Sequence, residues 1–281
     1  MADGHHTLTG DIRRHPHFAS AILGNKRDIL VYLPPGYRRS RLRYPVLYLH
    51  DGQNCFDRAT AFGGVEWGVD EAAERLIAAG EMAPTIIVAV PNAGEARMHE
   101  YAPTAAAFDS RKPHLKSKGH ARKYGRFLTK ELKPFIDSHY RTRPDAENTG
   151  LLGSSMGGLV TMSLGLWHPK VFRRLGVISA SIWWDDGVLY RMVDKLKHKL
   201  PLRIWLDMGT DEPGWGRVRI LRDCLTEKGW KVGDDLHYLE IPGATHSEGA
   251  WAARIDKILK WLFPSERRGE AAVQKTADFR V

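Results

Sequence analysis

Leu151-Leu152-Gly153-Ser154-Ser155-Met156-Gly157-Gly158 is the most informative segment of the chain. It contains the pattern Gly-x-Ser-x-Gly centred on Ser155, begins in an apolar run and continues into a stretch of helical character. A serine at a sharp strand-to-helix turn has strained backbone geometry, and the residues two before and two after it must lack side chains so that strand and helix can approach. The segment therefore predicts an exposed, nucleophilic serine. The alternative is a glycine-rich loop with an incidental serine.

Short apolar runs bounded by turn residues alternate with helix-period segments through most of the chain. The predicted strands are residues 45–50, 85–90, 175–179, 203–208 and 237–241, and the predicted helices are residues 124–136, 156–167, 217–228 and 250–263. Residues 20–23 and 28–33 are typical of an opening antiparallel hairpin, and Pro134 should kink or interrupt its helix. This alternation predicts an α/β fold with a mostly parallel central sheet and helices on both faces.

The chain shows no internal repeat and no composition break large enough to separate two domains. We therefore expect residues 1–264 to form one domain and residues 265–281 to form a polar tail. Residues 93–119 have weak periodicity and many polar side chains. A long segment of this kind predicts a flap near the active site.

Composition excludes several classes of protein. Of 281 residues, 43% are hydrophobic and 27% charged, which are ordinary values for a globular protein. No run approaches the roughly 18 apolar residues of a membrane span. The N-terminal residues do not resemble a secretory signal, and two cysteines are too few for a disulfide framework, so we expect a reducing, cytoplasmic setting.

The net charge of +9 is concentrated in one segment. Residues 111–143 contain eleven Lys or Arg and two acids, so the rest of the chain is neutral overall. Such a segment is more often a solvated loop and helix face than a nucleic-acid surface. We expect no nucleic-acid partner; if the segment has a function, attraction of an anionic substrate is the alternative.

A nucleophilic serine needs a base, and the base needs an orienting carboxylate. In this fold they follow in the order serine, acid, histidine. Asp211 and Glu212 follow the strand 203–208, and His246 follows the last strand. The carboxyl ends of parallel strands share one edge of the sheet, so Ser155, His246 and one of the two acids should meet there.

An oxyanion hole needs two N–H donors, one from the residue after the nucleophile and one from the loop after an earlier strand. We assign them to the backbone amides of Met156 and Gln53. His50 and Asp51 lie in the same loop. They could take acid–base roles, but bracing of the loop by hydrogen bonds is favoured.

Six segments, in order, resemble the Putative esterase family of α/β-hydrolases, which includes enterochelin-type siderophore esterases and feruloyl and acetyl-xylan esterases. They are Tyr32-Leu33-Pro34-Pro35-Gly36-Tyr37, Tyr48-Leu49-His50-Asp51-Gly52-Gln53-Asn54, Glu100-Tyr101-Ala102-Pro103, Gly153-Ser154-Ser155-Met156-Gly157-Gly158, Met208-Gly209-Thr210-Asp211-Glu212 and Gly243-Ala244-Thr245-His246. The resemblance covers residues 20 to 262. It implies that the acid lies three residues after Gly209, which is Glu212, with Asp211 as the alternative.

The resemblance also places aromatic residues near the acyl or leaving-group pocket. Trp183 and Trp184 follow a strand end, and Trp67 follows the oxyanion loop. They could stack on a substrate ring, or pack in the core beneath the loops. Arg97 belongs to the predicted flap, and we include it among the candidate substrate-binding residues.

The residues and the resemblance together predict a serine carboxylic-ester hydrolase that acts on short acyl, aryl-acid or sugar esters through an acyl-enzyme. The substrate is a small molecule, and we expect no membrane association, no cofactor and no metal, since no ligand spacing or phosphate loop is present. The alternatives are a siderophore-lactone esterase, an acyltransferase to an alcohol acceptor and a non-catalytic binding protein.

Overall fold

The computed structural model describes residues 6–107 and 116–265. At its centre is an eight-stranded sheet in the order β1-β2-β4-β3-β5-β6-β7-β8. Its strands are β1 Asp11–Ser20, β2 Asn25–Leu33, β3 Val46–His50, β4 Ile86–Val90, β5 Thr149–Ser154, β6 Arg174–Ile178, β7 Arg203–Gly209 and β8 Leu236–Ile241. The pairs β1–β2 and β2–β4 are antiparallel, and every other neighbouring pair is parallel.

Helices follow most of the strands and cover the sheet. They are α1 Val69–Ala78, α2 Arg97–Tyr101, α3 Ala121–Phe127, α4 Lys133–His139, α5 Met156–Trp167, α6 Val188–Asp194, α7 Arg217–Glu227, α8 Glu248–Ala252 and α9 Ile255–Leu262. Because a parallel pair needs a crossover connection, α1 to α7 lie in the links between successive strands, whereas α8 and α9 follow the last strand.

The core forms two layers, one on each face of the sheet. In β3, Val46 and Tyr48 pack into the layer that contains α3 and α5, whereas Leu47 and Leu49 pack into the layer that contains α1 and α9. All four side chains are buried, as expected for a parallel strand covered on both faces. The predicted α/β-hydrolase architecture is confirmed.

The N-terminal hairpin is present, but the prediction of residues 20–23 as its first strand is wrong. Residues 21–24 form the turn, closed by a hydrogen bond from Gly24 N to Ser20 O of 2.9 Å, and the strand is Asp11–Ser20. This strand lies at the edge of the sheet and is largely solvated, so it lacks the apolar run that would mark it in the sequence.

The helix predicted over residues 124–136 continues through Pro134 rather than breaking there. A wider π turn at Leu128–Leu132 ends two residues before the proline and joins α3 to α4. A proline ring clashes with the carbonyl four residues earlier in a regular α-helix. The π turn changes that spacing and accommodates the ring.

Three predicted segments fall partly outside the described residues. These residues lie outside the described part: 108–115 of the predicted flap, 111–115 of the basic segment and 266–281 of the predicted tail. The described part of the flap contains α2, whose Tyr101 is fully buried. Within residues 6–107 and 116–265, every helix is too short or too polar to cross a membrane.

Candidate active site

Ser155 lies between β5 and α5, at a turn with φ of 57° and ψ of −121°. A β-carbon on Gly153 would lie 2.8 Å from the Gly157 carbonyl carbon, and one on Gly158 would lie 2.8 Å from the Ile178 oxygen. Side chains at these positions would push strand and helix apart. The glycines therefore allow the close approach that holds the serine in its strained conformation and presents its hydroxyl at the sheet edge.

Three side chains from separate loops form a continuous chain of hydrogen bonds. His246 Nε2 is 2.9 Å from Ser155 Oγ, and His246 Nδ1 is 2.7 Å from Glu212 Oε2. The Glu212 carboxylate is buried and pairs with the histidine, whereas the neighbouring Asp211 side chain is exposed. Because an ionised carboxylate only accepts, Nδ1 carries the proton and Nε2 is left to accept from the serine hydroxyl.

The other carboxylate oxygen of Glu212 accepts two hydrogen bonds from neighbouring loops. Ser179 Oγ donates to Oε1 at 2.6 Å, and the Gly209 amide donates to the same atom at 2.8 Å. Burial alone would raise the pKa of Glu212, but the hydrogen bonds to both oxygens outweigh it and hold the pKa below its ordinary value. The carboxylate is therefore ionised at neutral pH and available to stabilise an imidazolium.

The loop after β3 forms a tight turn against the neighbouring strand. A β-carbon on Gly52 would lie 2.4 Å from the Val90 backbone nitrogen, so only glycine fits there. The Asp51 amide donates to the Tyr101 hydroxyl at 3.1 Å, and the Asn92 amide donates to Gln53 Oε1 at 3.1 Å. These contacts fix the position of the Gln53 backbone.

His50 and Asp51 brace this loop. His50 is fully buried with Nδ1 3.0 Å from the Tyr124 hydroxyl, and burial lowers its pKa to about 4, so the ring is neutral. Asp51 receives Arg97 Nε at 2.6 Å and Nη2 at 2.7 Å, a bidentate pair. Both residues are committed to structural contacts, in agreement with the bracing role favoured from the sequence.

The serine and histidine open into a cleft of about 760 Å³. Its wall combines apolar and polar side chains, and the described residues that line it include Asn54, Phe62, Val65, Asn92, Arg97, Glu248 and Trp251. Burial raises the pKa of Glu248 above its ordinary value. Its carboxylate receives the Asn54 side-chain amide at 3.2 Å and the indole N–H of Trp67.

Of the four candidate substrate-binding residues, only Arg97 lines the cleft. The indoles of Trp67 and Trp184 are buried beneath the loops, where Trp67 contacts Trp251 and Trp184 donates to the Thr104 hydroxyl at 3.2 Å. Trp183 is 42% exposed, but its side chain lies outside the cleft. Trp67 and Trp184 take packing positions because the loops that follow the strands need apolar support, whereas Trp183 remains exposed outside the cleft.

Sequence reasoning missed Glu248 and Asn92 as parts of the cleft wall. Asn92 follows the end of β4 by two residues, and Glu248 follows His246 by two. Their positions, one after a strand end and the other beside a predicted site residue, are the sequence features that could have indicated them. In the described part of the chain, no three histidine, cysteine or acidic side chains cluster as a metal site would require.

Comparison with known proteins identifies relatives along nearly the whole chain. A family model described as "Putative esterase" matches residues 20–262. The chain is 26% identical over 255 residues to "Uncharacterized protein YbbA" of Bacillus subtilis (strain 168), covering 87% of this chain and 95% of that protein. It is 30% identical over 255 residues to the "Endo-1,4-beta-xylanase/feruloyl esterase" of Xylanibacter ruminicola, covering 88% of this chain and 30% of that protein.

Among solved structures, one titled "ferulic acid esterase" superposes with a TM-score of 0.68 at 22% identity. The superposition covers 90% of this chain and 98% of the other. At this identity the likeness establishes a shared fold.

Proposed function

The chain belongs to the Putative esterase family and is a carboxylic ester hydrolase, and we propose that Ser155 is the nucleophile of its reaction. The observation that carries the proposal is the pair of contacts of His246, 2.9 Å to the serine hydroxyl and 2.7 Å to the buried carboxylate of Glu212. A base within hydrogen-bond reach of the nucleophile, itself oriented by a third group, is the arrangement that nucleophilic catalysis needs.

The proposed reaction has two halves. Ser155 Oγ attacks the ester carbonyl while His246 Nε2 takes its proton, and Glu212 stabilises the imidazolium that forms. The tetrahedral intermediate collapses, His246 protonates the departing alcohol, and an acyl-enzyme remains. Water then attacks the acyl group by the same proton transfers and releases the acid.

We assign the oxyanion hole to the amides of Met156 and Gln53. Met156 is the first residue of α5, where amides lack a carbonyl partner within the helix and the positive end of the helix dipole favours an anion. The rigid turn around Gly52 supports the assignment of Gln53, since a donor fixed in advance needs no reorganisation during the reaction.

The charge on the cleft wall favours neutral esters with a short acyl, aryl-acid or sugar component. Asp51 and Arg97 neutralise each other, which leaves the Glu248 carboxylate as an acceptor for hydroxyl groups. Phe62, 77% exposed, and Val65 provide an apolar rim. None of the described residues from 116 to 143 lines the cleft, so the basic segment gives no support there for an anionic siderophore lactone.

A panel of esters assayed with the wild type and Ser155→Ala tests the proposal. We expect hydrolysis of short acyl and aryl-acid esters by the wild type and a loss of at least about a thousandfold in the variant. Activity retained in Ser155→Ala would overturn the assignment of the nucleophile.

The same panel distinguishes the alternatives. Preferential transfer to an added sugar or alcohol would identify an acyltransferase, and turnover of a catecholate lactone ahead of every neutral ester would identify a siderophore esterase. Binding of esters without turnover by the wild type would identify a binding protein.

A further inference from the structure

Ser179 supports the proposed catalytic triad of Ser155, His246 and Glu212 from the side of Glu212 that does not contact the histidine. It directly follows β6, has a φ of 42° and is fully buried. Its hydroxyl oxygen contacts Glu212 Oε1 at 2.6 Å, Arg254 Nη2 at 2.7 Å and Trp251 Nε1 at 3.0 Å. A non-glycine residue held at positive φ is costly and points to a constraint imposed by its surroundings.

These contacts determine the direction of the Ser179 hydroxyl proton. A guanidinium and an indole N–H only donate, and a hydroxyl offers two lone pairs and one proton. Arg254 and Trp251 therefore occupy both lone pairs, so the proton must go to Glu212. No other arrangement satisfies all three partners.

Glu212 Oε1 consequently receives two fixed donors, the Ser179 hydroxyl and the Gly209 amide at 2.8 Å. Rotation of the carboxylate would break both hydrogen bonds. Oε2 is therefore held toward His246 Nδ1 before any substrate binds. Such support sets the tautomer and the orientation of the imidazole.

The buried ion pair of Arg254 and Asp207 fixes the guanidinium that donates to the Ser179 hydroxyl. Arg254 contacts Asp207 through Nε–Oδ2 at 3.1 Å and Nη2–Oδ1 at 3.0 Å, and the Trp205 indole donates to Oδ2 at 2.6 Å. The Arg254 charge is thus balanced by Asp207, and its Nη2 stays 4.0 Å from Glu212 Oε1. Arg254 makes its direct hydrogen bonds to Asp207 and Ser179, so its main contact with Glu212 runs through the Ser179 hydroxyl.

We propose that Ser179 is a positioning residue for the triad carboxylate, and that Arg254, paired with Asp207, and Trp251 direct its hydroxyl proton. This inference rests on the proposed function, because it concerns how Glu212 orients His246. Trp251 contacts both Ser179 and the histidine, because its ring also packs edge-on against the His246 ring with centroids 4.9 Å apart.

The test compares Ser179→Gly and Ser179→Ala with the wild type. Both variants remove the hydroxyl, and glycine tolerates the positive φ, so a loss shared by both reports on the hydroxyl and not on the backbone. Ser163→Ala is the matched control, since Ser163 is also a buried serine but donates to the Leu159 carbonyl at 2.8 Å inside α5. We expect kcat to fall about 10- to 100-fold in both Ser179 variants, with KM within about twofold, and no change in the control.

The pH profile of kcat/KM separates positioning from loss of folded protein. The groups that face the triad histidine and its acid are Glu212 from the loop after β7, Glu248 from α8 and the buried pair of Asp207 and Arg254. Without the Ser179 hydroxyl, Glu212 Oε2 is no longer held in one position toward His246, so the acid limb of the profile should move from its wild-type position. A smaller folded fraction would lower the rate without moving the limb.

A second variant tests the role of the ion pair. Asp207→Asn combined with Arg254→Met removes both charges together, so no buried charge is left unpaired. In that background Ser179→Gly should cost less than in the wild type, because the hydroxyl is no longer directed. An equal cost in both backgrounds would refute the role of Arg254.

Ser179→Gly with wild-type kcat and an unmoved acid limb would overturn the inference. Ser155→Ala, measured alongside, identifies which claim has failed. If Ser155→Ala is inactive while Ser179→Gly is normal, only the positioning role is lost; if Ser155→Ala is active, the proposed function itself is wrong.

Discussion

Replacement of Glu212 by glutamine should reverse the hydrogen bond that orients His246. The position of Oε1 receives two donors, the Ser179 hydroxyl and the Gly209 amide, so the carbonyl oxygen of the new amide must take that place. The amide nitrogen then takes the place of Oε2, 2.7 Å from His246 Nδ1.

The consequence is the wrong histidine tautomer. An amide nitrogen donates to Nδ1, which leaves the proton on Nε2, and Nε2 can then no longer accept from Ser155. The loss of a correctly oriented, charge-stabilised base in this chemistry is about 10⁴-fold in kcat. That factor corresponds to about 5.5 kcal/mol of transition-state stabilisation.

Steady-state kinetics on an aryl ester, with circular dichroism to verify folding, would measure this effect. Asp211→Asn is the matched control, because Asp211 is adjacent in sequence, carries the same charge and is exposed. We expect its kcat to remain within about twofold of the wild type, as for most exposed substitutions. A Glu212→Gln enzyme with more than a tenth of wild-type kcat, or equal losses in the two variants, would refute the reasoning.

Three further predictions concern the support of the site. Gly52→Ala places a β-carbon 2.4 Å from the Val90 nitrogen, so the loop that carries Gln53 must shift, and we expect kcat to fall about 100-fold. Gly216→Ala, which meets no atom within 4 Å, should retain activity; comparable kcat values in the two variants would contradict this. Glu100→Ala leaves the buried Arg27 guanidinium without its 2.7 Å partner and should lower the free energy of unfolding by about 3–5 kcal/mol in urea titrations; a loss below about 1 kcal/mol would count against it. The folded-state pKa of Glu212 lies below its ordinary value of 4.5, so the ionised carboxylate stabilises the fold above that pH and loses this contribution as the pH falls through the folded pKa. The difference in unfolding free energy between wild type and Glu212→Gln should therefore shrink below about pH 4.5. A difference that stays constant would contradict the lowered pKa.

The sequence predicted most of the sheet because parallel strands buried on both faces are continuous apolar runs. The strand Val46–His50 and the helix Met156–Trp167 begin and end within one residue of their predicted bounds. The edge strand Asp11–Ser20 escaped prediction because its largely solvated residues carry no such run. The π turn before Pro134 escaped because a proline in a helix signals a disturbance but not how the backbone accommodates it.

For the site, chain order and motif indicated Ser155 and His246, and residues alone left the acid open between Asp211 and Glu212. Two adjacent residues after a strand differ in burial only once the loop is folded, and no periodicity encodes that difference. The sequence does not indicate the proposed roles of Ser179 and Arg254 either, because these roles depend on contacts that form only in the folded chain. They meet only because the ends of β6 and β7 lie side by side and Arg254 reaches them from the turn after α8.

The tryptophans show the limit of reasoning from position. Trp67 and Trp184 occupy loops at the catalytic edge, yet both indoles pack inward, because large apolar side chains stabilise the loops by burial. A pattern can place a residue after a strand end, but it does not indicate whether the side chain points to the cleft or to the core.

The central claim is that His246 makes the Ser155 hydroxyl nucleophilic. Time-resolved intact-protein mass spectrometry with an aryl fluorophosphonate tests it directly, followed by identification of the labelled peptide. We predict one adduct per chain, on Ser155, with labelling slowed about a thousandfold in His246→Ala. An adduct on any other residue, or wild-type labelling of Ser155 in His246→Ala, would contradict the account.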